Sequence, residues 1–169
     1  MPTSPRAATA PVHSRYVIRD ADVADLDTIN GILEAAVSGW GLSARVLRLS
    51  LPSLRYDEMD VRTMRARLIT DHGTPVGFSC TEPADPHDPS GNHRSLTLHG
   101  LYVLPRRQRT GIGARLLADV EALARAEGYA ALATRAWRES SAFFTAHGFI
   151  PCAPGEPSLW PRPLWRALD

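Results

Sequence analysis

The sequence predicts a single α/β domain in which helices flank a central sheet. Short apolar runs typical of strands alternate with segments whose apolar residues recur at helical spacing. Glycine and proline mark the breaks between these segments. The 169 residues suit one domain of ordinary size, and 44% hydrophobic with 22% charged residues is typical of a globular protein.

The first half of the chain starts with a predicted strand and a capped helix. Residues 16–19 form the strand, and Asp22 is placed to cap the helix, which ends at the glycines on either side of Trp40. The apolar face of this helix consists of Leu26, Ile29, Leu33 and Val37. The elements predicted next are short helices over residues 43–50 (closed before Pro52) and 61–66, strands over 67–70 and 76–81 around a turn at 71–75, and a proline-rich loop over 82–93.

The second half combines one long strand with a strongly amphipathic helix. The strand covers residues 95–104, and the helix ends at Gly128, a favoured residue just beyond a helix terminus. The apolar stripe of the helix contains Ile112, Leu116, Leu117, Val120, Leu123 and Ala124. The elements predicted after it are a strand at 131–135, a helix at 140–147 stopped by Gly148, a strand beginning at 149–152, and a closing strand at 164–168.

The turn between this strand and helix carries the strongest functional pattern. A glycine turn that opens a helix offers unpaired backbone N–H groups and the positive end of the helix dipole to an anion. Gly111 and Gly113 lack a Cβ, so a phosphate can approach the backbone closely. Arg106, Arg107 and Arg109 add positive charge beside the turn. The pattern predicts a diphosphate-binding turn.

Two common nucleotide-binding motifs do not fit this turn. A dinucleotide fingerprint needs a small residue three positions after Gly113, where Leu116 stands. A P-loop needs a lysine, and all nineteen basic residues of the chain are arginine. A different nucleotide-binding protein is therefore disfavoured.

The spacing Gln-x-x-Gly-x-Gly, formed by Gln108, Gly111 and Gly113, resembles the acyl-coenzyme A motif of the GNAT superfamily of N-acyltransferases. The resemblance covers the chain after its first fifteen residues and is strongest over residues 98–149. It implies a mixed α+β GNAT fold, with a central, mixed, mostly antiparallel twisted sheet that splays at the cofactor strand. It also implies transfer of an acetyl group from acetyl-CoA to a primary amine of a small molecule or peptide by direct attack.

The resemblance assigns the cosubstrate to two segments. The backbone of Leu101, Tyr102 and Val103 would pair with the pantetheine arm, and an N–H of Leu101 or Val103 would polarise the thioester carbonyl. The amides from Arg109 to Ala114 would take the pyrophosphate. The full predicted cofactor-binding set is Leu101, Tyr102, Val103, Gln108, Arg109, Thr110, Gly111, Ile112, Gly113, Ala114 and Phe144.

His99 is the predicted catalytic base. It lies just before the pantetheine-pairing segment, and imidazole, with an ordinary pKa of ~6.5, is suited to take a proton near neutral pH. The run His99-Gly100-Leu101-Tyr102-Val103 also resembles the arylalkylamine acetyltransferases, where a histidine here serves as the base. The alternatives are a structural histidine in the sheet, or Glu82 or Asp85 as the base.

The catalytic acid is where the sequence departs from the family. Phe144 stands where the resemblance places a tyrosine that protonates the leaving thiolate, and Trp137 replaces an asparagine often found seven positions earlier. A phenyl ring cannot donate a proton. Water, Tyr102, Ser140 or Ser141 remain as alternatives. The substitution supports a second hypothesis, a catalytically weak acyl-CoA-binding sensor or interaction module on the same fold.

The acceptor site is the part that the sequence predicts least, because residues 39–66 resemble the family poorly. Trp40, Tyr56 and the 82–93 loop are the candidate walls, with ordinary core packing as the alternative for the two aromatic residues. Acidic residues of the loop, Asp85 and Asp88, would favour a cationic amine. Homodimerisation is common in the family and is an open alternative to a monomer.

Composition bounds the remaining properties. A net charge of +1 argues against nucleic-acid or membrane-surface partners. Cys80 and Cys152 suggest two core thiols in a reducing cytoplasm, and neither they nor His87 and His93 have metal-ligand spacing, so no metal is predicted. Residues 1–15 are predicted to be a loosely held tail, with a transit peptide as the alternative, and residues 16–169 are predicted to form the domain.

Overall fold

The computed structural model describes residues 15–85, 94–152 and 160–168 of the chain. In this part of the chain the strands are β1 (Tyr16–Asp20), β2 (Arg65–Asp71), β3 (Thr74–Pro83), β4 (Ser95–Val103), β5 (Ala131–Ala136), β6 (Ile150–Pro151) and β7 (Arg162–Ala167). They form one sheet in the order β1-β2-β3-β4-β5-β7-β6. Neighbouring strands are antiparallel except for the parallel pair β4 and β5. The predicted mixed, mostly antiparallel sheet is confirmed.

Helices cover both faces of the sheet. They are α1 (Leu26–Ser38), α2 (Ala44–Leu54), α3 (Glu58–Thr63), α4 (Ile112–Ala126) and α5 (Arg138–Ala146), with short 3₁₀ turns at Val23–Asp25 and Pro105–Arg107. Phe78 and Cys80 of β3 pack in one core cluster with the buried face of α1. On the other face, buried residues of α4 pack with β4, β5 and α5. Among the described residues, no helix is long and apolar enough to cross a membrane.

The sheet opens between β4 and β5. Their pairing runs from Ser95 opposite Ala131 to Leu98 opposite Thr134, whereas β4 continues to Val103. The last pair is reinforced by the Thr134 hydroxyl, which donates to the Leu98 carbonyl oxygen at 2.9 Å. The second half of β4 therefore keeps β3 on one side and faces an open gap on the other, as the resemblance to the GNAT fold predicts.

Two of the predicted helices have wrong boundaries. The helix predicted to close before Pro52 runs through it to Leu54. A proline inside a helix removes one backbone hydrogen bond, but Arg55 N–H still donates to the Leu51 carbonyl oxygen at 3.1 Å. Leu47, Leu51 and Leu54 pack on the core, and this burial outweighs the lost bond.

The helix predicted at 61–66 is instead α3, and residue 66 belongs to β2. Asp57 caps it by accepting from Asp60 N–H at 2.9 Å, while Asp57 N–H donates to the Asp60 carboxylate at 2.8 Å. This reciprocal pair is a capping box, and the sequence spacing Asp-x-x-Asp was its signal. Ala66 is 3% exposed, since it packs in the core from the strand.

The other predicted elements are found with small shifts at their ends. The β2–β3 hairpin turns through His72 (φ 48°) and Gly73 (φ 82°), the two left-handed residues of a tight turn. β3 extends to Pro83, so Glu82 lies on the strand and not in the predicted loop. The tail over residues 1–14 and the loop at 86–93, with Asp88, His87 and His93, lie outside the described residues.

Candidate active site

The predicted diphosphate-binding turn has the backbone geometry of an anion site. Gly111 (φ 85°) is the residue before the first turn of α4, and Arg109 two positions earlier is also left-handed (φ 58°). No side chain caps the helix, so the first N–H groups of α4, those of Ile112, Gly113 and Ala114, have no partner within the helix. Successive N–H groups in such a loop form a concave surface that binds anions.

Side chains of the turn hold its shape. Gln108 Nε2 donates to the Val103 carbonyl oxygen at 3.1 Å, which ties the turn to the end of β4. The Thr110 hydroxyl donates to the Arg107 carbonyl oxygen at 2.7 Å. Gln108 and Thr110, both predicted to bind the cofactor, thus contribute in this structure by fixing the backbone that would bind it.

The three arginines of the turn have different environments. Arg107 Nη1 lies 2.9 Å from Asp71 Oδ2, and the side chain of Asp71 is 2% exposed. Arg106 and Arg109 are exposed. Arg106 and Arg109 therefore keep their charge at the surface of the turn, while Arg107 anchors the turn to β2.

The open edge of β4 presents two backbone N–H groups to the gap. Leu104 N–H donates to the Val76 carbonyl oxygen on β3 at 2.9 Å. Because neighbouring residues of a strand point their N–H groups to opposite sides, those of Leu101 and Val103 point toward the gap. Gln108 already occupies the Val103 carbonyl oxygen on that side. The N–H groups of Leu101 and Val103 therefore remain to pair with an extended ligand.

The neighbouring residues Phe143 and Phe144 have different surroundings. The ring of Phe143 lies against Gly113, since a Cβ added to Gly113 would be 3.2 Å from Phe143 Cε2. Phe144 is 5% exposed and packs edge-on against Phe143 and Phe149 in the core. The ring that borders the turn is therefore that of Phe143 and not that of the predicted Phe144.

A β-bulge places His99 at the site. Cys80 of β3 is opposite Gly100 and Thr81 is opposite Leu98, so His99 is an extra residue with no partner on β3. Bulges re-aim side chains and are frequent beside active sites. His99 is exposed and lines a cavity of about 590 Å³.

The hydroxyl of Tyr56 is in direct contact with the ring of His99. Tyr56 Oη and His99 Nδ1 are hydrogen-bonded at 3.1 Å. Tyr56 is 6% exposed, and burial raises the pKa of its phenol well above 10. Tyr56 therefore stays neutral and keeps its O–H at any pH at which an amine is acetylated. The sequence predicted Tyr56 at the pocket wall but carried no signal for its bond to His99.

Aromatic rings build one side of the cavity. Tyr102 stacks on Phe78 with ring centroids 5.4 Å apart and on Trp40 at 6.4 Å. Trp40 also contacts Trp137 at 5.8 Å. Burial raises the pKa of Tyr102 to about 12, so this phenol also keeps its proton. Tyr56 lines the cavity and also packs in the core, so both predicted alternatives apply to it. Trp40 packs against the core and is not among the residues that line the cavity.

Charged and sulfur groups complete the lining. The cavity is also bordered by Glu82, Asp85, Arg135 and Cys152. Cys80 lies buried nearby, and burial raises the pKa of its thiol to about 12. Within the described ranges, no group of three or more His, Cys, Asp or Glu residues could hold a metal ion.

Comparison with known families agrees with this geometry. The sequence model of the acetyltransferase (GNAT) family matches residues 43–149, more than half of the chain. The chain belongs to this family. No curated protein sequence matches the acetyltransferase.

Solved structures share the fold of this acetyltransferase. The PaiA N-acetyltransferase from Thermoplasma acidophilum, in complex with coenzyme A, superposes with a TM-score of 0.73 at 15% identity, covering 90% of this chain and 98% of its own. A GCN5-related N-acetyltransferase from Rhodopseudomonas palustris gives 0.71 at 20% identity, covering 95% and 100%. A Brucella melitensis GNAT acetyltransferase with acetyl-CoA gives 0.65 at 19%, covering 93% and 90%. At these identities the likeness shows the fold.

The acetyltransferase thus brings the predicted site residues into two adjoining regions. The turn at Gln108–Ala114 meets the open edge formed by Leu101, Tyr102 and Val103, and His99 borders the cavity on the same strand. Glu82 and Asp85, expected in a solvated loop, border that cavity too. Ser140 is turned to its own helix, where its hydroxyl donates to the Trp137 carbonyl oxygen at 3.2 Å.

Proposed function

We propose that this acetyltransferase moves an acetyl group from acetyl-CoA to a primary amine of a small molecule or peptide, by direct attack and without a metal. The main support for the proposal is that three features of the structure adjoin one another. A turn with free N–H groups leads to an open strand edge, and that edge leads to a cavity bordered by an exposed histidine.

Acetyl-CoA would bind along the first two features. The N–H groups of the Arg109–Ala114 turn would hold the pyrophosphate. The edge of β4 would pair with the pantetheine arm as an added strand does. The N–H of Leu101 or Val103 would then donate to the thioester oxygen and stabilise the oxyanion that develops on attack.

His99 would act as the general base. The amine nitrogen forms a bond to the acetyl carbon, its proton passes to the imidazole directly or through water, and the carbon–sulfur bond breaks to release the CoA thiolate. For protonation of the thiolate we propose a water molecule. Tyr102 borders the cavity, but burial raises the pKa of its phenol to about 12, so it gives up its proton less readily than an ordinary tyrosine. The Ser140 hydroxyl is bonded to its own helix, and Phe144 lies in the core.

The cavity supports an amine as the acceptor. Glu82 and Asp85 attract a protonated amine into it, and His99 removes the proton that blocks attack. Cys80 and Cys152 are not joined in a disulfide, which fits a cytoplasmic compartment, and we retain this location as part of the proposal.

Because Phe144 is buried in the core and cannot donate a proton, we retain a second candidate function, an acyl-CoA-binding sensor with weak turnover. Both functions require the ligand to bind, and only the enzyme requires His99. We expect acetyl-CoA to bind wild type and His99→Gln equally in isothermal titration. We expect His99→Gln to transfer the acetyl group about 10²-fold more slowly at neutral pH or below. Equal transfer rates in the two proteins would contradict the role of His99, and absent binding would contradict both functions.

A further inference from the structure

We propose that Tyr56, held in place by Asn30, is a positioning residue that accepts a hydrogen bond from His99 Nδ1–H and leaves Nε2 free to take the proton of the amine. The inference rests on the proposed role of His99 as the base. It assigns two residues from helical regions of the chain to the chemistry of a strand residue.

Asn30 fixes the backbone of Tyr56. Asn30 Nδ2 donates to the Tyr56 carbonyl oxygen at 2.9 Å, and Tyr56 N–H donates to Asn30 Oδ1, also at 2.9 Å. Asn30 is 4% exposed on α1, and Tyr56 lies in the short link between α2 and α3. Because both backbone polar groups of Tyr56 are buried and satisfied by one side chain, the link has little freedom to move.

The ring of Tyr56 is held as closely as its backbone. It packs edge-on against Phe78, with centroids 5.6 Å apart and planes at 85°. Its hydroxyl occupies the space beside Gly100, where an added Cβ would be only 2.3 Å from Tyr56 Oη. The missing side chain at Gly100 is therefore what lets this hydroxyl reach the histidine next to it.

The nitrogen that Tyr56 contacts decides what His99 can do. A neutral imidazole carries one proton, and the hydrogen bond made by one nitrogen sets the state of the other. For Nε2 to accept a proton, Nδ1 must carry one and donate it to an acceptor. Tyr56 Oη is hydrogen-bonded to Nδ1 at 3.1 Å and can serve as that acceptor. After proton transfer the same bond stabilises the imidazolium, so the site needs no rearrangement during the reaction.

Other ionisable groups border the same cavity and act on His99 together with Tyr56. They are Glu82, Asp85, Tyr102, Arg135 and Cys152. Tyr56→Phe leaves all five of these groups in place and removes only the hydroxyl that is bonded to Nδ1. The effect of Tyr56 is thus separable by removing its hydroxyl alone.

The test combines nitrogen NMR with a pH–rate profile on the full chain. Imidazole ¹⁵N spectra at about pH 8, where an ordinary histidine is neutral, distinguish a protonated from an unprotonated ring nitrogen, and His99→Gln identifies the signals of His99. Tyr56→Phe removes the hydroxyl and keeps the ring. Tyr129→Phe is the matched control, since Tyr129 packs on the core cluster on the opposite face of the sheet from α1.

We expect His99 of wild type to be protonated at Nδ1, and Tyr56→Phe to shift it toward the Nε2–H form. Loss of the acceptor also destabilises the imidazolium, so the acidic limb of kcat/KM moves to lower pH while kcat falls about tenfold or more. Tyr129→Phe changes neither, and Asn30→Ala shifts the limb in the same direction as Tyr56→Phe.

Two results overturn the inference separately from the proposed function. An Nε2–H tautomer in wild type, or an acidic limb in Tyr56→Phe that stays in place or moves to higher pH, overturns the positioning role while a slow His99→Gln still supports the base. Undiminished transfer by His99→Gln overturns the base and with it the catalytic purpose of Tyr56.

Discussion

Arg107 Nη1 lies 2.9 Å from Asp71 Oδ2, so an arginine of the turn before α4 is held by the buried carboxylate that ends β2. Arg15 forks onto the same carboxylate, with Nε 2.8 Å from Oδ1 and Nη2 3.1 Å from Oδ2. The hydrogen bond from Arg15 is the main reason that the pKa of Asp71 is lowered. Asp71 thus joins the start of the domain to the turn that would bind the pyrophosphate.

Asp71→Asn is expected to weaken acetyl-CoA binding, because Arg107 and the turn lose their anchor. The KM for acetyl-CoA should rise several-fold, with kcat nearly unchanged. Asp119→Asn is the matched control, since Asp119 is bonded in the same forked way by Arg67, at 2.9 and 3.0 Å, without contact to the turn. Steady-state kinetics decide the matter, and equal effects of the two variants would contradict the anchoring role.

The same pair predicts how binding depends on pH. A carboxylate with a lowered pKa contributes its interaction above its ordinary value of 3.8 and loses it as pH falls through the lowered value. At neutral pH Asp71 stays ionised, so the affinity for coenzyme A should not depend on its titration. Below about pH 4 protonation of Asp71 should lower the affinity of wild type, and Asp71→Asn should not show this decrease. Isothermal titration across this range measures it.

Gly111→Val should abolish coenzyme A binding at a modest cost in stability. Gly111 is left-handed, and no atom lies within 4 Å of an added Cβ, so the change strains the backbone by about 1–2 kcal/mol and fills the approach to the N–H groups. Gly73→Val tests the strain alone, because Gly73 has the same conformation and the same open surroundings in the β2–β3 turn. The midpoint temperature of thermal unfolding should fall by a similar amount in both variants. Retained binding in Gly111→Val would contradict the assignment of the turn.

Gly100→Ala should impair turnover more than binding. The added methyl would lie 2.3 Å from Tyr56 Oη and 2.8 Å from Tyr102 Cε2, so the hydroxyl must leave His99. We expect a loss of about 1–3 kcal/mol in stability from overpacking and a larger loss in kcat than in acetyl-CoA affinity. Gly31→Ala is the control, as its Cβ meets open space on α1 and should stabilise the helix by up to about 1 kcal/mol. Wild-type turnover by Gly100→Ala would show that the Tyr56 contact is dispensable.

Ser79→Ala should leave stability unchanged or raise it by about 1 kcal/mol. Ser79 is fully buried on β3, and its hydroxyl has no hydrogen-bond partner within the described residues. Thr134→Val provides the contrast, because it removes a buried hydroxyl that donates to the Leu98 carbonyl oxygen at 2.9 Å. Chemical denaturation should show a lower free energy of unfolding for Thr134→Val only. A destabilised Ser79→Ala would mean that the hydroxyl has a partner.

The sequence predicted the parts of the site that are local in the chain. The strand, the glycine turn and the helix from 95 to 126 follow from periodicity and from residues that need special backbone angles, such as Gly111. The position of His99 beside the cavity could be predicted because its distance from the turn along one strand is fixed by the strand itself.

Features formed by distant residues were not predictable in this way. Tyr56 is 43 positions from His99, and the bulge that exposes His99 depends on how β3 pairs with β4. The anchoring of Arg107 by Asp71 likewise joins two turns that only the folded sheet brings together. The helix that continues through Pro52 does so because tertiary packing outweighs a local preference.

The most direct test of the proposed acetyl transfer is amine-dependent release of free thiol from acetyl-CoA. Wild type and His99→Gln are compared over polyamines, arylalkylamines, amino acids, aminoglycosides and short peptides, after subtracting the signal of Cys80 and Cys152. We expect release with at least one class of amine, strongly reduced in His99→Gln although acetyl-CoA still binds. Binding of acetyl-CoA with no release for any amine would contradict the enzyme and favour the sensor.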